Sequence, residues 1–509
     1  MTKIRPSNSR SFWIAAAAVT VFVYFFGLNV PLVGPDEPRY AQVAREMFLR
    51  GDWITPTLGG FDWFEKPALL YWLQISSYNV FGVSEFSARF GSALFGLATI
   101  LALWLLGRKI ERVSEEEGRP VAEFANWLAL IAATSLGLAV FSRGASFDII
   151  LTFPMTAAMV CFLLFDLDEI HLGLGLGRKP SGHFLSLFGF YFFIGVALLA
   201  KGLVGIVFPF AIVGAYFLVS WRVPGRSFIV SIVWGTLVAL AVAAAWYVPM
   251  YMQNGWKFID EFFIQHHFQR YTSNKYLHPQ PFYFFFWVLP LMTIPWLPFF
   301  VTAVWKFGKQ VFHRDGTPGM PRAALLRFSA VWLVVPLLFF SFSGSKLPGY
   351  ILPAVPPAIV ITAVYVMRFI RGGGRRASAL KALAMTTFVV LTCVIIFALP
   401  KFAEMDSVKG LIAEADSRGY GDLKVLTMHT VSHNAEFYAA GRLMRDDTGK
   451  QKRLPGTAEV LNEIRKTGRD SALVIVPVEY ESQLTASPLF DSEIIRDNGE
   501  MAIVFVKAR

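Results

Sequence analysis

The sequence predicts an all-α polytopic membrane protein with about eleven transmembrane helices, interface helices on its outer face and a small carboxy-terminal α/β domain. The composition is 55% hydrophobic and only 16% charged, and long apolar runs recur between residues 12 and 400. A helix needs about 20 apolar residues to cross the hydrocarbon core of a bilayer. The more charged segment after residue 400 breaks this pattern, which predicts a domain outside the membrane.

The predicted spans follow the apolar runs. The first run comes after several basic residues, as in a signal peptide, but it is too long for one and no small-residue cleavage site follows it. The joints between the third and fourth spans and between the fifth and sixth are very short. The spans are 12–30, 84–107, 122–141, 146–165, 184–200, 203–220, 228–249, 282–304, 324–342, 350–369 and 382–400.

Lysine and arginine concentrate in alternate loops, and the positive-inside rule places those loops in the cytoplasm. The net charge of +11 is therefore largely an orientation signal, and no nucleic-acid partner is needed to explain it. Cys161 and Cys393 both fall inside apolar runs, so no disulfide framework is indicated. The basic loops contain Arg108, Lys109, Arg112 and Arg119; Arg178 and Lys179; Arg222 and Arg226; Lys306, Lys309, Arg314 and Arg322; and Arg368, Arg371, Arg375, Arg376 and Lys381.

The remaining segments face the other side of the membrane, and nearly every motif that suggests chemistry lies among them. This one-sidedness favours an enzyme that acts at the outer face. A transporter would place its polar site near the bilayer midplane, usually between internal repeats, and no convincing repeat is visible in the sequence. The outer-face segments are 31–83, 142–147, 201–202, 250–281, 343–349 and the tail 401–509.

Two domains are expected. Residues 1–403 form a transmembrane catalytic domain with long outer loops at 31–83 and 250–281, and residues 404–509 form the outer α/β domain. Apolar residues at helical spacing predict amphipathic helices that lie along the membrane interface. These helices run from about Glu37 to Leu49, from near Pro67 and around Phe258 to Phe268; the tail has strand-like runs at Leu423–Met428, Ala472–Val478 and Met501–Lys507, and helical stretches at about 404–418 and 457–467.

An acidic pair, Asp36 and Glu37, directly follows the first span. One interpretation is that Asp36 caps the helix that begins near Glu37. The other is that a carboxylate at the membrane surface takes a proton from an acceptor or binds a sugar. Asp148, at the lip of the fourth span, is a further candidate, because ionisable residues in such places are often functional. Its structural alternative is a helix cap or a partner for Arg143.

Three outer-face lysines lie at helix entries or joints. Lys66 lies between Glu65 and Pro67, and proline suits a first helical turn. The helix dipole disfavours a cation there, unless a phosphate completes the site. Lys346 repeats this arrangement before the tenth span, and Lys201 lies in the joint between the fifth and sixth spans. Such lysines also snorkel or pair with a neighbouring acid, but their repetition on one face favours an anion pocket.

The long outer loop at 250–281 contains a further group of candidates. Arg270 is suited to hold a phosphate. His266 and His267 form a pair that could bind a metal ion, but adjacent histidines on a helix point in different directions. Metal binding is therefore the weaker interpretation of this pair.

Taken together, these motifs resemble the bacterial aminoarabinose transferases that modify lipid A. The resemblance covers about residues 30–360. Four segments resemble the family's amino-terminal signature: Asp36-Glu37-Pro38-Arg39-Tyr40-Ala41, Arg45-Glu46-Met47, Gly51-Asp52-Trp53-Ile54 and Phe64-Glu65-Lys66-Pro67. Four later segments resemble further family motifs in the same order: Lys201-Gly202, His267 with Gln269-Arg270, Pro281-Phe282, and Lys346-Leu347-Pro348 with Tyr350-Ile351-Leu352. The acidic motif is shared with protein O-mannosyltransferases, so it supports the superfamily more than the substrate.

The resemblance implies a GT-C membrane fold. It also implies a glycosyltransferase that moves 4-amino-4-deoxy-L-arabinose from undecaprenyl phosphate to lipid A, on the periplasmic face of the bacterial inner membrane. The family has about thirteen spans against the eleven counted in this sequence, which leaves the acceptor open. Transfer to protein or to another glycan is the alternative among enzymes, and a lipid-linked-sugar flippase is the alternative of another class.

The motifs and the resemblance together suggest roles for individual residues. Asp36 is expected to act as the general base or to orient the acceptor, with Glu37 and Asp148 nearby. No cofactor is required, because the lipid already carries the activated sugar, although by resemblance a divalent metal ion would lie near Glu65 and His267. The expected partners are the undecaprenyl-phosphate-linked donor, lipid A or another periplasmic acceptor, and membrane lipids. Positive charge for the carrier phosphate is expected from Lys66, Lys201, Arg270 and Lys346, with Tyr350 donating a hydrogen bond.

Overall fold

The computed structural model describes residues 7–118, 121–173, 182–269, 279–311 and 321–509. Backbone packing divides the chain into two compact units. The membrane unit comprises residues 1–26, 65–70 and 91–391, and the sheet unit comprises residues 27–64, 71–90 and 392–509. The expected domain boundary between residues 403 and 404 stays a prediction, because this division does not test independent folding.

Helices dominate the chain as far as residue 406. The first ten are α1 (Ser7–Phe25), α2 (Asp36–Arg50), α3 (Leu69–Phe81), α4 (Glu85–Glu116), α5 (Phe124–Thr134), α6 (Leu136–Phe141), α7 (Phe147–Gly173), α8 (His183–Lys201), α9 (Val204–Val219) and α10 (Arg226–Phe258). A π-helical segment, Ile259–Gln269, continues α10. The later helices are Phe284–Met292, Leu297–Val311, Pro321–Ser341, the 3₁₀ turn Pro348–Ala354, Val355–Ile370, Gly374–Cys393, the π-helical Val394–Ala398 and Leu399–Asp406.

The protein is a multi-pass membrane protein. Among the residues that the structure describes, seven helices are long and apolar enough to cross a membrane, or up to eight if the bent pair Phe284–Met292 and Leu297–Gly308 is one span. The predicted count of eleven is not confirmed. Three of the predicted spans fall on shorter apolar helical stretches, Arg10–Phe25, Phe124–Thr134 and Val204–Val219. One of these predicted spans, 122–141, is also interrupted at Ser135, whose extended backbone separates α5 from α6.

Aromatic rings fill the centre of the membrane unit. Phe162 of α7 is fully buried, and its ring centre lies within 6.2 Å of five other aromatic rings. Those rings come from α8, α9, α10 and the helix Pro321–Ser341. Because edge-to-face and offset pairs of this kind add to the free energy of simple burial, they fix how these helices pack together.

Acidic residues near the carboxyl end of α7 pair with bases from the loops that were predicted to be cytoplasmic. Arg222 donates to both carboxylate oxygens of Asp166, each at 3.0 Å, and the Tyr216 hydroxyl donates to Asp166 at 2.7 Å. Lys109 of α4 pairs with Asp168 of α7. These bases therefore also hold helices together, a role that the sequence did not reveal.

The amino-terminal part of the sheet unit contains α2 and a short β-hairpin. Helix α2 ends where Gly51 adopts a left-handed φ of 68° and its N–H returns to the carbonyl of Met47. Strand β1 (Thr57–Leu58) pairs antiparallel with β2 (Phe61–Asp62). The turn between them is Gly59-Gly60, whose φ angles of 64° and 84° suit glycine. The helices predicted at 37–49 and from near residue 67 are thus present as α2 and α3.

The tail is a small α/β domain, as predicted. Its sheet has five strands, β3 (Val425–Met428), β4 (Arg453–Leu454), β5 (Ser471–Pro477), β6 (Phe490–Asp497) and β7 (Met501–Ala508). Their order in the sheet is β4–β3–β5–β7–β6. Strand β3 is parallel to β4 and β5, whereas β7 is antiparallel to β5 and β6. Apolar residues cover both faces of the sheet, and strand β5 at its centre is buried almost throughout. The helices of the tail are Lys409–Ala415, π-helical Asp416–Tyr420, His433–Tyr438, Thr457–Lys466, 3₁₀ Val478–Tyr480 and Glu481–Thr485.

Candidate active site

The membrane unit brings together three of the predicted residues, Asp148, Lys201 and Tyr350. Asp148 is the second residue of α7, and its backbone N–H donates to the Ser146 hydroxyl at 3.1 Å. Lys201 is the last residue of α8, and its ammonium forms an ion pair with the Asp148 carboxylate. The Lys201 Nζ also lies 4.8 Å from the centre of the Tyr350 ring. We call these three residues the lysine–aspartate cluster.

Gly349 allows the lysine–aspartate cluster to form. A Cβ atom at this position would overlap the Oδ2 atom of Asp148 and would lie 2.8 Å from the Phe141 ring. Close approach, and not an unusual backbone angle, is therefore what requires glycine here. The carboxylate of Asp148 consequently lies directly against the backbone of the Pro348–Ala354 turn.

Lys346 lies four residues before Tyr350, in the loop that enters the predicted tenth span. Its side chain is buried, and its ammonium donates to the carbonyls of Ser343, at 2.6 Å, and Gln280, at 3.0 Å. Among the described residues, it forms no ion pair with an acid. Burial lowers the pKa of Lys346 from its ordinary value of 10.5. A buried ammonium that only carbonyls solvate is suited to receive an anion, because an anion would compensate the lost hydration.

Lys66 and Glu65 lie in the link that precedes α3, and both are partly buried. The helix begins at Leu69, so Lys66 is three residues outside it. Arg270 and the side chain of His267 lie outside the described residues. No group of three histidine, cysteine or acidic side chains that could hold a metal ion was found within the described part of the chain. Since that part excludes the side chain of His267, the metal site at Glu65 and His267 stays a prediction.

Asp36 is the first residue of α2, within the sheet unit. The residue at the helix cap is Pro35, and no side-chain capping hydrogen bond is formed there, so the interpretation of Asp36 as the helix cap is wrong. Asp36 instead accepts a hydrogen bond from Arg39 at 2.6 Å, and its side chain is 47% exposed. The Arg39 guanidinium also donates to the carbonyl of Pro35 and lies 5.8 Å from the centre of the Trp63 ring.

Glu37 is buried, in contrast to Asp36. It forms a bidentate pair with Arg89 of α4, at 3.1 Å and 2.6 Å. It also accepts a hydrogen bond from the backbone N–H of Val33 at 3.0 Å. This geometry favours a role for Glu37 in holding the first turn of α2 in place, and its catalytic role stays a prediction.

Sequence reasoning missed Arg89, although a signal was present. An arginine within the first turns of an apolar span is costly unless it has partners, and so suggests a specific role. Glu46 was noticed only as part of a family motif. Its carboxylate accepts from the backbone N–H groups of Gly59, at 2.6 Å, and Gly60, at 3.1 Å. It thereby fixes the tip of the β1–β2 hairpin to α2.

Residues 14–261 match the family model described as dolichyl-phosphate-mannose-protein mannosyltransferase. A relative from Pseudomonas paraeruginosa is named undecaprenyl phosphate-alpha-4-amino-4-deoxy-L-arabinose arabinosyl transferase. It is 30% identical over 396 residues, which cover 75% of this chain and 66% of the relative. This chain is a homologue of the aminoarabinose transferases.

A second aminoarabinose transferase supports the same relationship. The relative from Aeromonas hydrophila is 28% identical over 398 residues, covering 76% of this chain and 66% of its own length. The resemblance predicted from the sequence motifs is thus confirmed. The chain spans slightly less than two thirds of the length of such relatives, and 60% of one from Proteus mirabilis.

Solved structures confirm the predicted GT-C fold. ArnT from Cupriavidus metallidurans, in a crystal structure bound to undecaprenyl phosphate, matches with a TM-score of 0.77 at 21% identity, covering 98% of both chains. The oligosaccharyltransferase of Archaeoglobus fulgidus matches with a TM-score of 0.52 at 13% identity, covering 94% of this chain and 70% of that one.

Proposed function

We propose that the protein transfers 4-amino-4-deoxy-L-arabinose from undecaprenyl phosphate to a phosphate of lipid A. The observation that carries this proposal is the buried ammonium of Lys346. Within the described part of the chain it donates to two carbonyls and to no acid, and it lies four residues from Tyr350 of the lysine–aspartate cluster. Homologues named for this reaction, and a structural neighbour bound to undecaprenyl phosphate, support this choice of donor.

The donor half of the reaction needs positive charge. The bond between the anomeric carbon of the sugar and the carrier phosphate breaks, and undecaprenyl phosphate leaves with one more negative charge than it had in the donor. Fixed cations stabilise such a developing charge by amounts that correspond to about 10²–10³ in rate. Lys346 and Lys201 are the proposed groups in the membrane unit, with Lys66 and Arg270 as further candidates. No cofactor is needed in this proposal, because the phosphate ester already activates the sugar.

The acceptor half is proposed to involve Asp36 and Arg39. A lipid A phosphate brings an oxygen that is already ionised, so that no proton has to be removed before it attacks the anomeric carbon. A guanidinium suits such a phosphate because its donors match the geometry of two oxygens. Asp36 already holds the Arg39 guanidinium at 2.6 Å, which supports an orienting role for this carboxylate and a phosphate as the acceptor.

The proposal is tested with the purified full chain in lipid vesicles. Undecaprenyl-phosphate-linked aminoarabinose is supplied with lipid A, or with lipid A whose phosphates have been removed, and the products are identified by mass spectrometry. We expect one aminopentose to be added to the phosphorylated acceptor and none to the other. Modified protein or glycan in place of lipid A would refute the acceptor. Movement of the donor between leaflets without any new glycosidic bond would favour a flippase.

A paired substitution tests the role of Lys346. Lys346→Ala is expected to weaken binding of the donor and to lower transfer by about 10²-fold, as for other lost charge interactions in a transition state. Lys466→Ala is the control, because the Lys466 side chain is 66% exposed and pairs with Glu463 within the sheet unit. Equal transfer by the two variants would remove Lys346 from the site.

We also propose that the protein lies in the bacterial inner membrane with this chemistry on the periplasmic face. Basic loops on the opposite face support this orientation. In a variant lacking Cys393, a cysteine introduced at the exposed Ser417 should react with a membrane-impermeant maleimide added to intact spheroplasts, and one at the exposed Glu115 should not. The reverse pattern would overturn the orientation.

A further inference from the structure

The loop that joins the first span to α2 is held by side chains from distant parts of the chain. We call residues 28–35 the entry loop. Within it, three consecutive backbone N–H groups, those of residues 32–34, each donate to a different side chain. The acceptors are the Tyr438 hydroxyl at 2.8 Å, the Glu37 carboxylate at 3.0 Å and the Asp406 carboxylate at 2.6 Å. Two of these three side chains belong to the carboxy-terminal tail, more than 370 residues along the chain.

The carbonyl groups of the same loop are also fixed. The Arg89 guanidinium donates to the carbonyls of Leu28, Val30 and Pro31 at 2.9, 2.6 and 2.9 Å. Because these hydrogen bonds fix both N–H and carbonyl groups of a partly buried segment, the side chains together favour one conformation of the entry loop. Asp36 lies only two residues after Gly34, so the position of its carboxylate depends on the conformation of this loop.

Asp406 occupies a position that is unfavourable for a carboxylate. It is the last residue of the helix Leu399–Asp406, where the helix dipole disfavours negative charge. Its bond to the Gly34 N–H offsets this cost, and the Asn434 side chain donates to its backbone carbonyl at 3.0 Å. Gly34 has a φ of 64°, and a Cβ atom there would meet nothing within 4 Å, so its backbone conformation is what requires glycine.

Tyr438 provides the second contact from the tail. Its hydroxyl accepts from the entry loop and donates to the Glu85 carboxylate at 3.1 Å, and Glu85 in turn accepts from the Lys409 ammonium at 2.5 Å. Burial raises the pKa of Tyr438 above its ordinary value, which keeps the hydroxyl neutral and able to donate. The tail therefore contacts the loop through a connected network, which lies wholly within the sheet unit.

We propose that Asp406 and Tyr438 are positioning residues for Asp36, through which the carboxy-terminal tail sets the geometry of the first turn of α2. The role assigned to Asp36 rests on the proposed function. The bracing of the entry loop does not, because it follows from hydrogen bonds within the sheet unit.

Kinetics with matched variants test the effect on the reaction. Asp406→Ala and Tyr438→Phe are expected to lower kcat by about 10- to 10²-fold, the range in which small displacements of reacting groups act. The KM for the donor should stay within about twofold, because the proposed donor cations are untouched. Asp406→Asn keeps an acceptor oxygen and should restore most of the loss. A normal kcat per folded molecule for both Asp406→Ala and Tyr438→Phe would overturn the proposal.

The controls are Asp416→Ala and Tyr420→Phe, which remove a carboxylate and a hydroxyl from the same unit. Asp416 pairs with Arg442 at 2.8 Å, and the Tyr420 ring stacks on Phe505. Neither contact involves the entry loop. Both variants are expected to keep the unaltered kcat, whereas losses equal to that of Asp406→Ala would indicate a general structural effect and overturn the proposal.

Amide hydrogen exchange of the full chain separates this proposal from the proposed function. Asp406→Ala should accelerate exchange at residues 32–34, and Asp416→Ala should not. If the unaltered protein transfers no sugar but this difference is found, the proposed function fails while the bracing of the entry loop stands. Unchanged exchange at residues 32–34 in Asp406→Ala would overturn the positioning role, whatever the activity.

Discussion

Replacing Arg89 by alanine should destabilise the protein more than any loss of a surface ion pair. The Arg89 side chain is 3% exposed and that of its partner Glu37 is 11% exposed. Alanine removes two hydrogen bonds to this carboxylate and three to the carbonyls of the entry loop. The substitution therefore leaves a buried carboxylate without its cation and three backbone carbonyls without a donor.

The magnitude follows from the burial of the pair. Removal of one partner from a buried ion pair costs about 3–5 kcal/mol, because the remaining charge is neither hydrated nor compensated. An exposed pair contributes only about 0.2–1 kcal/mol. Thermal unfolding of the purified protein in detergent, followed by circular dichroism, should show a large decrease in the midpoint for Arg89→Ala. Arg89→Lys should recover only part of it, because lysine lacks the planar set of donors.

Arg418→Ala is the matched control. Arg418 also forms two charged hydrogen bonds, to Glu414 at 2.9 Å and to Glu493 at 2.7 Å, but its side chain is 38% exposed. The double substitution of Arg89 and Glu37 by methionine should be less destabilising than Arg89→Ala, since it leaves no buried charge. An equal decrease in the unfolding midpoint for Arg89→Ala and Arg418→Ala would refute the argument that burial determines the loss of stability.

The other predictions concern the site itself. Asp36→Asn should lower turnover by about 10²–10³-fold with donor binding retained, whereas Lys66→Ala should weaken donor binding. Titration with undecaprenyl phosphate beside steady-state kinetics separates the two, and near-normal turnover of folded Asp36→Asn would exclude catalysis by this carboxylate. Gly349→Ala should abolish transfer, because the added Cβ displaces the carboxylate of the lysine–aspartate cluster. Gly214→Ala, with nothing within 4 Å of its Cβ, should transfer normally, and equal activity of the two variants would contradict the overlap. Undecaprenyl phosphate binding should weaken as pH rises, since the lowered pKa of Lys346 brings loss of its charge below pH 10.5. Binding by Lys346→Arg should persist to higher pH, and the same pH profile for both proteins would contradict this.

The apolar runs in the sequence predicted the positions of the helices well, but they did not predict reliably how many of these helices are long enough to cross a membrane. The apolar run at 122–141 looks continuous in the sequence, yet the extended backbone of Ser135 divides it. The N–H of Leu136 then donates to the carbonyl of Ile294, a tertiary contact that no local pattern contains. In the tail, apolar runs predicted β3, β5 and β7. Strand β6 was missed because it is an edge strand with many exposed polar residues, and β4 because it has only two residues.

In the candidate site, too, the sequence identified individual residues but not the tertiary contacts between them. Asp148, Lys201 and Tyr350 were selected separately, by their residue types and by the outer-face segments that contain or adjoin them. Their meeting in one cluster depends on the packing of α7 against α8 and on the space left by Gly349. Sequence patterns cannot show which carboxylate a lysine meets 53 residues away.

The charge balance of the partly buried Lys201 and the buried Lys346 suggests that they act differently on the carrier phosphate. Lys201 is already neutralised by Asp148, so a phosphate must compete with this carboxylate for the ammonium. Among the residues that the structure describes, Lys346 donates to two carbonyls and forms no ion pair with an acid, so an arriving anion would recover hydration energy that burial has removed. Lys346 is therefore the stronger candidate for binding the donor in its ground state. We expect Lys201 to contribute most when the leaving phosphate gains its additional charge, because only then does the phosphate compete well with Asp148. An interaction that strengthens as the bond breaks contributes to turnover more than to binding.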